Sequence, residues 1–211
     1  MEGQVLCYSQ AKQDLFVAAM HQGKQNGTWL EIGCYQPEFI NNTMMLEKYF
    51  GWKGVSIDKG IGLTEHWKNK RPNSDFRNLD VFELDWNTVP NFFDYVQIDI
   101  DPVEHNLQIL ETLLENRKFA TLTFEHDFFS GSEQSSLVRE KSRNLLSQYG
   151  FEMIANDVTI LPDDGRSCNN NPMWFEDWWA HPDFIDNSII DLYKFVTTDL
   201  EPKYWNHILY A

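Results

Sequence analysis

The sequence predicts an α/β protein with a mostly parallel sheet and helices on both faces. Three observations carry that prediction. Apolar runs at Trp29–Leu30, Val55–Ile57, 92–98 and 119–124 are too short for helices and are bounded by glycine or polar residues, as buried parallel strands are. Segments with helical apolar spacing separate them. Acids collect where the runs end, at Glu31, Asp58, Asp99 with Asp101, and Glu125 with Asp127, which is where open α/β sheets hold ligands.

Taken in order, residues 9–20 place Leu15, Phe16, Ala19 and Met20 on one helical stripe with Ser9 as its cap, and a polar loop follows to Gly27. The organising unit is 28–59: a strand reaching Gly33, a helix through Ile40, Met44, Met45 and Phe50 capped from Asn41–Thr43, and a strand ending at Asp58. Gly60 and Gly62 then open a loop with a short helix at most, and 76–81 reads as a third strand ending at Asp80. The fourth strand is 92–101. Pro102 starts a helix with Glu104 in its first turn and Leu107, Ile109, Leu110, Leu113 and Leu114 inward. After the fifth strand, 119–124, residues 128–134 read as a mobile loop turning at Gly131, and 133–148 as an amphipathic helix ended by Gly150. Residues 151–155 form a sixth strand with 158–161 as its antiparallel partner. Residues 162–174 are turn-forming. One of the adjacent Trp178 and Trp179 is expected at the mouth of a pocket, since neighbours on a regular element face opposite ways. From 183 the tail has helical spacing at Ile185, Ile189, Ile190, Leu192 and Phe195 and offers a homodimer contact. With no repeat or linker, 1–211 reads as one domain, with 1–27 over the ligand side and 183–211 a helical tail.

Composition narrows the function. Hydrophobic residues at 42% and aromatics at 15% suffice for a packed core. A net charge of −15 opposes the phosphate attraction behind nucleic-acid and anionic-membrane binding, so neither partner is expected. Lys68, Lys70 and Arg71 form the one local basic patch and read as a solvated loop. Cys7, Cys34 and Cys168 lack metal or disulfide spacing, and neither a leader nor a membrane span is legible. The expectation is therefore a cytoplasmic protein.

Glycine in the first turn of a β-α-β unit lets a ligand approach the backbone, and the acid ending the second strand, Asp58, suits ribose hydroxyls. A dinucleotide fits poorly. Gly33 is followed by Cys34, Tyr35, Gln36, Pro37 and Glu38 instead of further glycines, and Glu31 and Glu38 repel phosphate. A nucleoside with positive charge fits better, and S-adenosylmethionine is the candidate.

At this point a family resemblance emerges. Ser9-Gln10, Gln13 to Phe16, Leu30 to Gly33, Asn42-Thr43 with Leu46-Glu47, Phe50-Gly51-Trp52 with Gly54, and Asp99 to Asp101 with Glu104 resemble the FkbM-type S-adenosylmethionine-dependent methyltransferases over roughly residues 8 to 127. Pro37 stands near where many methyltransferases carry a second glycine. The resemblance implies the Rossmann-like class I methyltransferase fold, with seven strands, and an acid near Asp80 beside the adenine amino group.

On this reading Glu31, Gly33, Asn42, Asp58, Asp80 and Asp99 bind the cofactor, and the acceptor is a hydroxyl on a small molecule, sugar or glycan unit. Asp101, Glu125 and His126 are the candidate bases, since clustered acids push one another's pKa upward. Alternatively Asp99, Asp101, Glu125, His126 and Asp127 hold Mg²⁺, Mn²⁺ or Ca²⁺, which would polarise the hydroxyl. Two other functions compete: a non-catalytic nucleoside- or metal-binding module, and an NAD-dependent reductase.

Overall fold

The structure, a computed structural model, describes residues 7–160 and 173–194. Its sheet has seven strands, β1 (Thr28–Ile32), β2 (Lys53–Asp58), β3 (Asp75–Asn78), β4 (Phe92–Ile98), β5 (Lys118–Glu125), β6 (Glu152–Ile160) and β7 (Met173–Ala180), in the order β3-β2-β1-β4-β5-β7-β6. β1 pairs with β2 and β4 in parallel, as do β2 with β3 and β4 with β5; β7 alone runs antiparallel, between β5 and β6. The helices are α1 (Gln13–Met20), α2 (Met44–Phe50), α3 (Leu63–Lys70), α4 (Glu104–Asn116), α5 (Glu133–Gln148) and α6 (Asn187–Tyr193).

Strand residues alternate between two cores. Trp29, Tyr95 and Trp178 pack with Leu15, Phe16 and Met45 on one face. Leu30, Val96 and Trp179 pack with Ile109, Leu110, Val138 and Leu146 on the other. Both faces are therefore inside, and this corrects the expectation for the paired tryptophans: Trp178 is 0% and Trp179 1% exposed, so neither stands at a pocket mouth.

Other boundaries move for local reasons. The third strand stops at Asn78 because Asp80 accepts the Phe82 N–H and caps a 3₁₀ turn, Val81–Glu83. Pro102 does not start α4, which begins at Glu104. Lys12, not Ser9, is the N-cap residue of α1, but the Ser9 hydroxyl donates to Asp14 Oδ1 and accepts the Asp14 N–H in the first turn, while Asn41 Oδ1 accepts the N–H groups of Thr43 and Met44 at the start of α2. Residues 128–134 hold an ordered 3₁₀ turn, Phe128–Ser130, and Ser132, whose hydroxyl caps α5. Residues 152–160 form one irregular strand, and its partner is the later Met173–Ala180, not 158–161. Cys168, most of the 162–174 stretch and the tail from Phe195 lie outside the described residues. Among the described helices none is long and apolar enough to cross a membrane.

Candidate functional site

Two joined hollows open at the C-terminal ends of the parallel strands and share Gly33, Tyr35 and Asp99. The outer cleft, about 320 Å³, lies between Gly33, Asp58, Asp80, Phe82 and Asp101; the inner chamber, about 260 Å³, lies among Glu31, Asn42, Gln97, Glu125 and Glu176. A larger hollow of about 410 Å³ at the opposite end of the strands, by Arg117, Lys118 and His181, has none of the strand-end acids. Position, not volume, selects the first two.

Gly33 joins the hollows, and only glycine fits there. Its φ is +82°, and a Cβ would stand 1.6 Å from the Asp99 carbonyl oxygen. Asp58 is at the end of β2, where its two oxygens accept the N–H groups of Tyr35 (2.8 Å) and Gly60 (2.9 Å), fixing the carboxylate in the cleft wall. Asp80 is on the far wall. Hydrogen bonds from Lys59 (2.8 Å) and the Phe82 N–H hold its carboxyl below the usual range.

Glu31 is fully enclosed. Its oxygens accept Thr43 Oγ1 (2.9 Å), Ser56 Oγ (2.8 Å) and the Asn42 N–H (3.2 Å), and burial, eased by the Arg71 charge, raises its pKa. Arg71 was read as part of a solvated patch, yet it is 3% exposed. It pairs with Glu47, donates to Asn41 Oδ1 and Thr43 Oγ1, and lies over the Trp67 ring, which locks the segment that forms the chamber floor. Its acid and amide partners, Glu47 and Asn41, are 24 and 30 residues away, while Trp67 and Ser74 are near it in sequence.

Asp99 and Glu125 are hydrogen-bonded to each other. Enclosure, then repulsion from Asp127, Asp101 and Asp58, pushes Asp99 up to about 6, and enclosure with repulsion from Asp99 raises Glu125 well above the carboxylate range. Asp99 meets water through the cleft. Glu176, to which the sequence pattern gives no role, accepts Trp178 Nε1 (2.6 Å), and burial pushes it up to about 8.

His126 departs from this group. It is enclosed, lines neither hollow, and lies with Asp157 and Asp177. That trio has metal-like spacing, but Arg139 and Arg143 already hold both carboxylates, so the described residues offer no divalent-ion site there. The five-residue set Asp99, Asp101, Glu125, His126 and Asp127 is not gathered around one point: His126 is turned away, and Asp101 stands exposed at the outer rim.

The residues present fit S-adenosylmethionine. The chamber has no cationic side chain, and two buried acceptors on residues lining it, Asn42 Oδ1 and Gln97 Oε1, have no donor. A ligand bearing an ammonium group carries the kind of donor that both lack.

No protein-family model matches the sequence, and neither does any curated protein. Solved structures do match. An O-methyltransferase from Bacillus cereus in complex with SAH superposes with a TM-score of 0.57 at 14% identity, covering 83% of this chain and 84% of that one. An rRNA methylase from Streptococcus thermophilus gives 0.54 at 14% identity over 79% and 94%. Magnesium protoporphyrin IX methyltransferase from Synechocystis with bound SAM gives 0.51 at 12% identity over 82% and 79%. The chain has the class I methyltransferase fold. Its strand order, with one antiparallel strand inserted next to the last, agrees with that fold.

Proposed function

We propose that the protein transfers a methyl group from S-adenosylmethionine to a hydroxyl on a small acceptor such as a sugar or glycan unit. The observation that carries this reading is the acidic inner chamber with its two orphaned amide oxygens. It repels phosphate and receives a cation with N–H donors. The FkbM-type motifs of the sequence support the same cofactor, and the likeness in fold to proteins solved with SAM or SAH agrees with it.

When bound, the cofactor supplies an electrophilic methyl group on a sulfonium. The protein does the rest. Gly33 lets the ligand lie against the backbone, Asp58 accepts the ribose hydroxyls, and Asp80 accepts from the adenine amino group beside the exposed faces of Tyr35 and Phe82. Asn42 and Gln97 accept from the ammonium. At the reaction side the Asp99–Glu125 pair takes the acceptor's proton, because enclosure and the neighbouring carboxylates raise the proton affinity of both groups. Holding oxygen and methyl in line supplies the larger share of the acceleration. The exposed Asp101 orients the acceptor at the rim.

An RNA acceptor is disfavoured by charge. Lys59, Lys70, Arg71, Arg139 and Arg143 are each paired with an acid, which leaves little basic surface around the cleft for phosphates. The test is transfer of labelled methyl from S-adenosylmethionine to a panel of hydroxylated small molecules and to RNA. Label in a hydroxylated compound supports the reading; label in RNA alone overturns the acceptor, and cofactor binding with no transfer at all favours a non-catalytic nucleoside-binding module.

A further inference from the structure

The strand β7, paired on both sides, presents acids to both faces of the sheet. Glu176 of β7 lines the chamber, while its neighbour Asp177 lies in a cluster reached by α5. Arg143 holds Asp177 from Nε and Nη2, both at 2.7 Å, and reaches Asp157 Oδ1 at 2.9 Å. Arg139 holds Asp157 from Nε (2.6 Å) and Nη2 (2.5 Å). His126 stands beside the group, with Nε2 3.4 Å from Asp177 Oδ1 and 3.8 Å from Asp157 Oδ1 and no hydrogen bond to either. Its Nδ1 accepts the Phe128 N–H at 3.3 Å, so the ring proton belongs on Nε2, facing the carboxylates.

The backbone of β7, two residues before Asp177, holds the segment that follows Glu125. The N–H groups of His126 and Asp127 both donate to the Phe175 carbonyl, at 2.7 and 3.0 Å, and Asp127 turns the chain with φ +51°. The direction in which Glu125 leaves β5 is thus set from β7, through His126.

We propose that this clasp, buried at His126 and Asp177 and half-buried at Asp157, Arg139 and Arg143, positions the Glu125 carboxyl toward the sulfonium side of the inner chamber. The proposal rests on the S-adenosylmethionine reading above. Apolar packing would hold α5 to the sheet at least as firmly, as Val138 and Leu146 do nearby, because enclosing ion pairs gains little net stability. What bidentate pairs add is direction. These are positioning residues; none lines either hollow.

The test uses Arg143→Gln and Asp177→Asn in the full chain. S-adenosylmethionine and S-adenosylhomocysteine differ at sulfur by one methyl and one charge, so the ratio of their dissociation constants reads the acid facing the sulfur. The clasp predicts that each variant lowers this preference for the charged cofactor roughly fivefold, the worth of one solvent-screened charge contact. It also predicts that amide hydrogen exchange in 125–130 accelerates at least about tenfold while 28–32 is unchanged. Equal weakening of both nucleosides, or unchanged exchange in 125–130, overturns the clasp. A wild-type protein that binds neither nucleoside overturns the cofactor reading instead, and the exchange arm still decides whether the segment is held. Arg143→Lys keeps the charge without the fork, and an intermediate loss is expected from it even if the glutamine variant does not fold.

Discussion

Replacing Gly33 with alanine addresses the joint on which both hollows depend. The added Cβ would stand 1.6 Å from the Asp99 carbonyl oxygen and 2.6 Å from its carbon, a collision with backbone that no rotamer change relieves. The ends of β1 and β4 are tied at this level by the Asp99 N–H to the Ile32 carbonyl (3.0 Å), so the strands must part by more than 1 Å. A left-handed alanine costs about 1–2 kcal/mol, and forced separation in a packed interior about 1–3 kcal/mol more, which together give about 2–5 kcal/mol of destabilisation. The shift also carries Asp99 away from the chamber, and cofactor affinity should fall about tenfold or more, as expected for the loss of one charged contact. Urea unfolding and calorimetric titration with S-adenosylmethionine read the two effects. A variant within about 0.5 kcal/mol of the parent, with unchanged affinity, would show that the turn is looser than described and that the backbone approach does not shape the site.

Asp58→Asn keeps the bulk of the side chain but loses charged acceptance, and should weaken S-adenosylmethionine about 10- to 100-fold and cost about 1–3 kcal/mol of stability, because its amide nitrogen cannot accept one of the Tyr35 and Gly60 N–H groups; equal affinity in both proteins would remove Asp58 from the site. Arg71→Met leaves Glu31 and Glu47 without their enclosed partner and should cost about 3–5 kcal/mol in urea unfolding, partly recovered in the Glu31→Gln background; additive losses would mean that Arg71 and Glu31 do not interact. Trp179→Ala should cost about 3–5 kcal/mol, whereas a tryptophan at a pocket mouth would be lost at little cost. Glu176 has a folded pKa of about 8 against 4.5 for the free group, so its stabilising neutral form is fully favoured below 4.5 and is lost as pH rises through about 8. Glu176→Gln should therefore flatten the decline of stability over that interval, and an unchanged pH profile would show that Glu176 is already ionised in the folded protein.

Most of what positions the site was legible because it depends on local pattern. Short apolar runs ending in acids located β1, β2, β4 and β5, and Gly33 followed by side chains instead of glycines pointed away from a pyrophosphate. What the pattern did not carry was pairing across the chain. Arg71 looked like surface because its acid and amide partners, Glu47 and Asn41, are distant in sequence. Trp178 and Trp179 were expected to split between core and surface, but a sheet covered on both faces accepts both. His126 follows Glu125 directly, and adjacency in sequence suggested one cluster; at a strand end, consecutive side chains leave on opposite faces, which sends Glu125 to the chamber and His126 to the arginines. Glu176 was hidden inside a stretch whose strand character appears only when β5 and β6 flank it.

The central claim is that the strand-end acids and orphaned amides receive S-adenosylmethionine, and calorimetric titration of the purified protein with that nucleoside, beside NAD, tests it most directly. The account predicts saturable binding of S-adenosylmethionine, strongly weakened by Asp58→Asn, and no heat from NAD. Binding of NAD with silence toward S-adenosylmethionine would contradict it, and would mean that Glu31, Gly33 and Gln97 surround a different ligand.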